Sequence, residues 1–279
     1  MSNHTETKEL PPVTRKFIAC TQSTGRVGKS TVADGLISWL NFAGIPFEAM
    51  DADSEHQTLS SRHPGKVHLF DATRSLDEFG VMIDTLPAVP VILADFPAQS
   101  TGFLLTAAEH FRLLDSFAAT GIRPTLLIFA ADDDTAQKSA ANTVRFFADS
   151  ADYLLVENPA KFKSGEFKRT GLYHWFQERK TPTLRMPTIS IVSLNAWDAM
   201  ERKQQRYLSL DEVTKQPGLS FIPQFELASI RNSFLTQFEE LANRIVVDVS
   251  LVKNKVTREE LRRADQGPSP FNNPLLAKV

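Results

Sequence analysis

The segment at residues 23–31, S-T-G-R-V-G-K-S-T, constrains the fold of this chain more than any other. A short apolar run at residues 17–20 precedes it and is typical of a strand, and residues 32–42 repeat apolar side chains at helical spacing. Small residues between a strand and a helix let consecutive backbone N–H groups point at phosphate oxygens, and the helix start adds its dipole. The pattern therefore predicts a phosphate-binding loop.

The loop also carries the polar side chains that such a site needs. It matches G-x-x-x-x-G-K-[ST] with one departure, because Ser23 occupies the position of the first glycine. We expect Lys29 to reach the β- and γ-phosphates and Ser30 to place its hydroxyl on Mg²⁺. The alternative is a helix start with a chance lysine, and the motifs downstream argue against it. The residues expected to surround the nucleotide are Thr24, Gly25, Arg26, Val27, Gly28, Lys29, Ser30 and Thr31.

The same segment resembles the variant loop K-G-G-x-G-K-[ST] of the ParA/MinD family of P-loop ATPases. Gly25 matches the first glycine of the family's pair, and Arg26 replaces the second. Thr24 stands where the family has a lysine that crosses a dimer interface to the partner's nucleotide. The resemblance implies ATP as the ligand and a nucleotide-dependent homodimer, and Arg26 is a candidate to supply the positive charge instead.

Two aspartates follow the second predicted strand, at residues 45–50. Asp51 and Asp53 stand at i and i+2, so their side chains point the same way from the end of a strand. The family has a D-x-D at this place. By that resemblance Asp53 positions the attacking water, and Asp51 supports the Mg²⁺ shell. The alternative is an acidic turn that caps the helix after it.

Residues 89–95 form a continuous apolar run that ends in Asp95. Such a run is typical of a strand buried on both faces in a parallel sheet, and its carboxylate emerges at the carboxyl edge, where the phosphate loop also lies. Asp95 is therefore a candidate to support Mg²⁺. Residues 95–98, D-F-P-A, resemble the family's D-x-P-A segment.

Asn158 ends another apolar strand, at residues 153–159, and matches in place the asparagine with which the family reads adenine. A polar residue at a strand end is common without any such role. The guanine-reading N-K-x-D pattern is absent at this position. ATP is therefore favoured over GTP.

Composition limits the partners and the compartment. The net charge of −2 leaves no global field for nucleic acid or anionic membrane, so any such binding has to be local. Residues 161–169 form the one basic segment with interleaved aromatics, and they predict either a solvated loop or a contact with DNA phosphates or an acidic partner. A single cysteine, Cys20, excludes an intramolecular disulfide. No apolar stretch approaches the roughly 18 residues of a membrane span, so we expect a cytoplasmic protein.

Strands alternating with helices predict an α/β fold with an open, mostly parallel sheet and helices on both faces. We expect a disordered leader at residues 1–14, one P-loop ATPase domain at 15–247, and a tail at 248–279. The further predicted strands are residues 67–71, 124–130 and 188–192. The further predicted helices are residues 75–86, 101–119, 135–148, 196–207 and 225–247, of which the last is amphipathic and closes the domain.

The function that the resemblance implies is a Mg²⁺-dependent switch ATPase of slow turnover in plasmid stability, partition or positioning. Within the family the chain looks most like the plasmid StbB-like branch. Lys29 and Asp53 are the candidate catalytic residues; Ser30, Asp51 and Asp95 are the candidate metal ligands. Two alternatives stay open: an ATP-dependent ligase or kinase of the dethiobiotin-synthetase-like type, and a nucleotide-binding adaptor that does not hydrolyse.

Overall fold

A computed structural model describes most of the chain, namely residues 10–22, 24–25, 27–71, 76–162 and 165–256. Ser23 and Arg26 of the loop lie outside the described residues, and so does any nucleotide contact expected of Arg26. Most of the expected leader and of the expected tail also lies outside them.

Seven strands form one parallel sheet in the order β3-β2-β4-β1-β5-β6-β7. This arrangement confirms the predicted open parallel α/β fold. β4 is buried along its whole length, as a strand covered by helices on both faces has to be. The strands are β1 (Arg15–Cys20), β2 (Phe47–Asp51), β3 (Val67–Leu69), β4 (Val91–Asp95), β5 (Ile122–Ala130), β6 (Asp152–Glu157) and β7 (Thr183–Arg185).

Helices cover both faces and bury two apolar clusters. One cluster lies under α1, α8, α9 and α10 and includes Leu36 and Phe234; the other lies under α3 to α7 and includes Phe79 and Phe117. The helices are α1 (Lys29–Ala43), α2 (Thr58–Arg62), α3 (Leu76–Asp84), α4 (Thr101–His110), α5 (Leu113–Ala119), α6 (Asp134–Phe147), α7 (Gly171–Glu178), α8 (Ile191–Gln204), α9 (Leu210–Val213), α10 (Phe221–Glu240) and α11 (Ala242–Ile245).

α10 packs along α1, the helix that follows the phosphate loop. A Cβ atom on Gly35 would lie 2.7 Å from the ring of Phe234, so only glycine permits this approach. One turn further on, Trp39 packs against Phe238 and donates its indole N–H to Glu239 at 3.2 Å. The predicted C-terminal helix is therefore present, although it ends at Glu240 and α11 follows it.

The predicted strand at residues 188–192 is wrong. Residues 188–190 connect β7 to α8 and residues 191–192 belong to α8, because the Ser190 hydroxyl accepts a hydrogen bond from the Ser193 N–H and so starts a helix at Ile191. The edge strand is Thr183–Arg185 instead, which pairs with the end of β6. The single helix predicted at 101–119 is also wrong, since Arg112 adopts a left-handed backbone conformation (φ 46°) that separates α4 from α5.

Residues 248–256, which open the expected tail, contact the end of α1. The backbone N–H of Lys253 donates to the carbonyl of Ala43 at 2.8 Å, and the side-chain amide of Asn254 donates to the carbonyl of Phe42 at 2.8 Å. Within the described ranges, none of the helices is both long enough and apolar enough to cross a membrane.

Asp152 joins three neighbouring strands at the amino edge of the sheet, opposite to the phosphate loop. Its carboxylate accepts from Lys16 Nζ of β1 at 2.5 Å and from Arg123 Nε of β5 at 3.0 Å. Burial alone would raise the pKa of Asp152, but the two cations outweigh it and hold the pKa below its usual range. The ionised carboxylate therefore stabilises the sheet above the ordinary pKa of aspartate, and this contribution is lost as pH falls through the depressed value.

We predict that Asp152→Asn lowers the free energy of unfolding at pH 7 by about 3 kcal/mol, because Lys16 is left buried without its anion. The difference from wild type should begin to shrink below about pH 4, where the carboxyl protonates in the unfolded chain, and should go on shrinking as pH falls through the depressed native pKa. Urea unfolding at a series of pH values measures both effects. Asp149→Asn is the matched control: this exposed carboxylate pairs with Arg179, and its loss should cost less than about 0.5 kcal/mol. Equal losses in both variants would contradict the assignment.

Candidate functional site

The phosphate loop ends in a glycine that the local geometry requires. Gly28 has φ of 103° and stands directly before α1, where its carbonyl accepts from the Val32 N–H at 2.9 Å. A Cβ atom there would lie 2.4 Å from Cε of Met186, which follows β7. Gly25, at the other side of the loop, approaches Ala98 of the D-F-P-A segment, with 3.8 Å from a Cβ built on Gly25 to that of Ala98. The loop therefore lies between the ends of β4 and β7.

Lys29 is the first residue of α1 and is buried, with 8% of its surface exposed. Burial lowers its pKa, while the negative charges of Asp95 and Asp53 act in the opposite direction. A desolvated cation beside carboxylates is suited to receive a strongly anionic ligand, because Coulomb interactions strengthen where water is excluded. Lys29 therefore lies where the sequence predicts the phosphate-binding lysine.

Asp95 ends β4 in the same row of the sheet as Cys20 of β1 and Asp51 of β2. It is 2% exposed, and its Oδ1 has no hydrogen-bond partner among the described residues. Burial raises the pKa of Asp95 to about 7; the hydrogen bond from Ser30 lowers it, and the carboxylates of Asp51 and Asp53 raise it further. A buried, partnerless carboxylate oxygen is costly unless a further group binds there.

The residues around Asp95 fit a magnesium ion. Mg²⁺ prefers oxygen ligands and is usually held by one or two protein groups together with water and substrate phosphates. The Ser30 hydroxyl and Asp95 Oδ1 are two such oxygens, and they lie beside the loop. The described residues contain no group of three or more His, Cys, Asp or Glu side chains arranged to hold a metal. A site of this kind therefore depends on the phosphates that Lys29 and the loop would bind.

The two aspartates of the D-x-D differ in their partners. Asp51 Oδ2 accepts from both the N–H (2.8 Å) and the hydroxyl (3.0 Å) of Ser60 on α2, and its Oδ1 accepts from the Asp53 N–H at 3.1 Å. Asp53 accepts from the His56 N–H at 3.0 Å and keeps a quarter of its side chain exposed. Asp51 thus organises the segment, and Asp53 is the more accessible carboxylate. The metal role predicted for Asp51 and the water-positioning role predicted for Asp53 stay predictions.

Asn158 contacts the loop directly. Its Nδ2 donates to the carbonyl of Val27 at 2.9 Å, and its Oδ1 accepts from the Ala160 N–H at 2.9 Å. Nδ2 therefore fastens the loop to the segment after β6, and the bond from Ala160 holds the amide in place; sequence reasoning missed this role. The adenine-reading role stays a prediction.

Asp133 is a second residue whose role at the site sequence reasoning missed. It caps α6 by accepting from the Ala136 N–H at 2.8 Å, and its Oδ1 also accepts from the Thr24 hydroxyl at 2.8 Å. These bonds hold the pKa of Asp133 below its usual range. Thr24 is therefore fixed to the start of α6. The sequence signal that could have indicated this role is the run of three aspartates at residues 132–134.

A recess of about 510 Å³ opens beside Thr24. Its wall consists of the loop and the segments after β5 and β6. The residues that line it are Thr24, Val27, Ala131, Asp132, Asp133, Ala160, Lys161 and Glu166.

The three histidines at residues 56, 63 and 68 are not brought together. His56 contacts Asp53, His63 contacts the buried Asp34 of α1, and His68 contacts Glu48. Each has its own carboxylate partner, so they do not form one site.

No known protein-family profile matches the sequence, and no curated protein matches it either. Among solved structures, the chain is similar to MinD, a cell division protein of Aquifex aeolicus, with 13% identity and a TM-score of 0.45 over 82% of this chain and 97% of that one.

Two further solved structures are similar. Chloroplast FtsY of Physcomitrella patens shares 12% identity with a TM-score of 0.44, over 66% of this chain and 62% of FtsY, so this chain spans about three fifths of that protein. A nucleotide-binding protein of Archaeoglobus fulgidus, solved with ADP, shares 16% identity with a TM-score of 0.42, over 62% of this chain and 82% of that one.

We predict that Asn158→Ala lowers the affinity for a fluorescent ATP analogue about fivefold, because the Val27 carbonyl loses the amide that holds the loop. Fluorescence titration at fixed Mg²⁺ measures the dissociation constant. Asn41→Ala is the matched control: it removes an amide bond of the same length, 2.9 Å to the Ile37 carbonyl, at the far end of α1. An unchanged affinity in Asn158→Ala would contradict the assignment.

Proposed function

We propose that this chain is a Mg²⁺-dependent ATP-binding protein that hydrolyses ATP slowly and uses the nucleotide as a switch. The observation that carries the proposal is the meeting of three groups beside the glycine loop. They are the buried ammonium of Lys29, the hydroxyl of Ser30, and the partnerless carboxylate oxygen of Asp95. Backbone N–H groups at the start of α1 add their dipole to this phosphate-binding geometry.

Each residue of this site has a separate part in the proposed hydrolysis. Lys29 binds the β- and γ-phosphates, and Ser30 and Asp95 hold Mg²⁺, which neutralises charge on the phosphate oxygens when it is bound. Asp53 orients the water that attacks the γ-phosphate, because it is the more accessible of the two D-x-D carboxylates and its charge acts on both Lys29 and Asp95. The site needs no covalent intermediate on the protein.

We place the nucleoside in the recess of about 510 Å³ beside Thr24. ATP is the proposed ligand rather than GTP because N-P-A-K follows β6, without the aspartate of a guanine-reading motif. Asn158 would then fasten the loop and contact the adenine. Competition of GTP against the bound ATP analogue tests the choice of base, and equal displacement by GTP and ATP would contradict it.

The switch is proposed to act on assembly, as a nucleotide-dependent homodimer in plasmid stability, partition or the positioning of DNA or protein. This part rests on the resemblance of the loop, the D-x-D and the D-F-P-A segment to ParA/MinD ATPases. The StbB-like branch stays a prediction. Thr24 replaces the family's cross-interface lysine, and its hydroxyl binds Asp133 of the same chain. The proposed dimer therefore has to form without that lysine.

DNA or an acidic protein is the proposed partner of the basic segment after β6. Lys161, Lys168 and Arg169 are exposed, and the Lys168 ammonium lies 5.0 Å from the centroid of the Phe162 ring. Loss of retarded DNA in a gel-shift assay on Lys168→Glu would support DNA. An unchanged shift in that variant would contradict it.

We predict that Asp53→Ala slows phosphate release from ATP at least about a hundredfold, because the attacking water loses its orienting carboxylate. ATP binding should persist, so light scattering after size exclusion should show a dimer that survives with ATP and Mg²⁺ in the variant, and a monomer without nucleotide or with ADP.

Asp134→Ala is the control for this experiment, because its exposed carboxylate pairs only with Lys138 among the described residues. It should behave like wild type. A molecular mass that ignores nucleotide in every variant would contradict the assembly switch. Turnover that appears only with a small acceptor would instead favour a ligase or kinase, and binding without any phosphate release would favour an adaptor.

A further inference from the structure

α1 carries a buried carboxylate that the proposed chemistry does not use. Asp34 lies five residues after Lys29 and is 1% exposed. Its Oδ1 lies 2.9 Å from Nε2 of His63, and since an ionised carboxylate can only accept, Nε2 is the donor. The Leu210 N–H, at the start of α9, donates to Oδ2 at 3.1 Å, and the Arg62 guanidinium lies 3.6 Å from the same oxygen. Three residues from two segments of the chain therefore converge on one side chain.

Two of these residues belong to the end of α2. Arg62 is the last residue of α2 and His63 follows it directly. Arg62 also stacks over the ring of Trp197 on α8, 4.8 Å from its centroid. The carboxyl end of α2 is thus fixed against α1 and α8.

The middle of α2 is fixed to the D-x-D. Ser60 donates from both its N–H and its hydroxyl to Asp51 Oδ2, and Asp51 Oδ1 receives the Asp53 N–H. α2 has only five residues, so it is too short to be stable by itself, and Leu59 is its one fully buried side chain. The position of α2 therefore depends on these polar contacts at Asp34 and Asp51.

We propose that Asp34 is a positioning residue for ATP hydrolysis. Through His63 and Arg62 it fixes α2 to the helix that begins with Lys29, and α2 through Ser60 fixes Asp51 and the backbone of Asp53. The water-orienting carboxylate is thereby held at a set place relative to the phosphate loop. This inference rests on the function proposed above, because it concerns the same reaction.

The consequence is a separation of binding from turnover. Among the described residues, no hydrogen bond or ion pair joins α2 to Lys29, Ser30 or Asp95. A loosened α2 should therefore leave the affinity for nucleotide intact. Displacement of a reacting group by an ångström can cost up to about a hundredfold in rate. Loss of the Asp34 contacts should therefore appear in kcat and not in affinity.

The test is Asp34→Asn, which keeps an acceptor for the Leu210 N–H but removes the charge that faces Arg62 and His63. We expect kcat for ATP to fall about tenfold while the dissociation constant for ADP changes less than about twofold. Ser60→Ala, at the other contact of α2, should also lower kcat. The double variant should lose less than the product of the two single losses, because both act through one element.

Glu212→Gln is the matched control. Glu212 completes the capping box of α9 with Ser209 and pairs with Arg206, so this variant removes a charge from α9 without touching α2. Its kcat should stay within about twofold of wild type. An unchanged kcat in Asp34→Asn, an equal loss in Glu212→Gln, or multiplicative losses in the double variant would each overturn the proposal. If Asp34→Asn does not fold, Ser60→Ala against Glu212→Gln decides on the same criterion.

Hydrogen exchange separates this proposal from the proposed function. The amides of Asp53 and Ser60 are bonded to Asp51, so peptides covering residues 51–63 should exchange faster in Asp34→Asn than in wild type and remain unchanged in Glu212→Gln. This readout needs no ATP. Equal exchange in Asp34→Asn and wild type would overturn the positioning role even if the protein hydrolyses ATP, and faster exchange without hydrolysis would contradict only the ATPase.

Discussion

Lys29 and Asp95 are both taken out of water at the carboxyl edge of the sheet, and the site depends on this burial of opposite charges. Asp95 is carried there by β4, whose five residues are all buried, and Lys29 by the turn that only a glycine at position 28 permits. Burial lowers the pKa of Lys29 and raises the pKa of Asp95, so it favours the neutral form of both groups. The charge of each group opposes the shift in the pKa of the other. The site therefore favours the binding of an anion together with a cation in place of water.

The elements around this pair act mainly to hold two segments in place. Asn158 fastens the loop to β6, the Thr24 hydroxyl binds the cap of α6, and Met186 lies against Gly28. On the other side, Asp51 fastens the D-x-D to α2. Most of the polar side chains that the sequence predicts to be in the site therefore hydrogen-bond to a neighbouring segment. Asp95 Oδ1 differs because it has no hydrogen-bond partner among the described residues.

Sequence alone could predict the loop, the positions of the main strands along the chain and the place of Asp95, because a buried parallel strand reads as an unbroken apolar run that ends in a polar residue. It could not predict β7, since three residues with one buried side chain carry no periodic signal. The cap of α6 is Asp133, and the sequence alone does not single it out among the three aspartates at residues 132–134. The sequence carries no signal for the role of Asp34, because its partners at positions 62, 63 and 210 are distant in the sequence.

The central proposal is that Asp95 and Ser30 complete a magnesium site for a nucleotide bound at Lys29. The most direct measurement is calorimetric titration of ATP with and without Mg²⁺, on wild type and on Asp95→Asn, with Asp149→Asn as the carboxylate control, because its exposed carboxylate pairs with Arg179. We predict that Mg²⁺ strengthens ATP binding at least about tenfold in wild type and in the control, and that Asp95→Asn loses most of this gain. No binding of ATP to wild type, or the same gain from Mg²⁺ in Asp95→Asn, would contradict it.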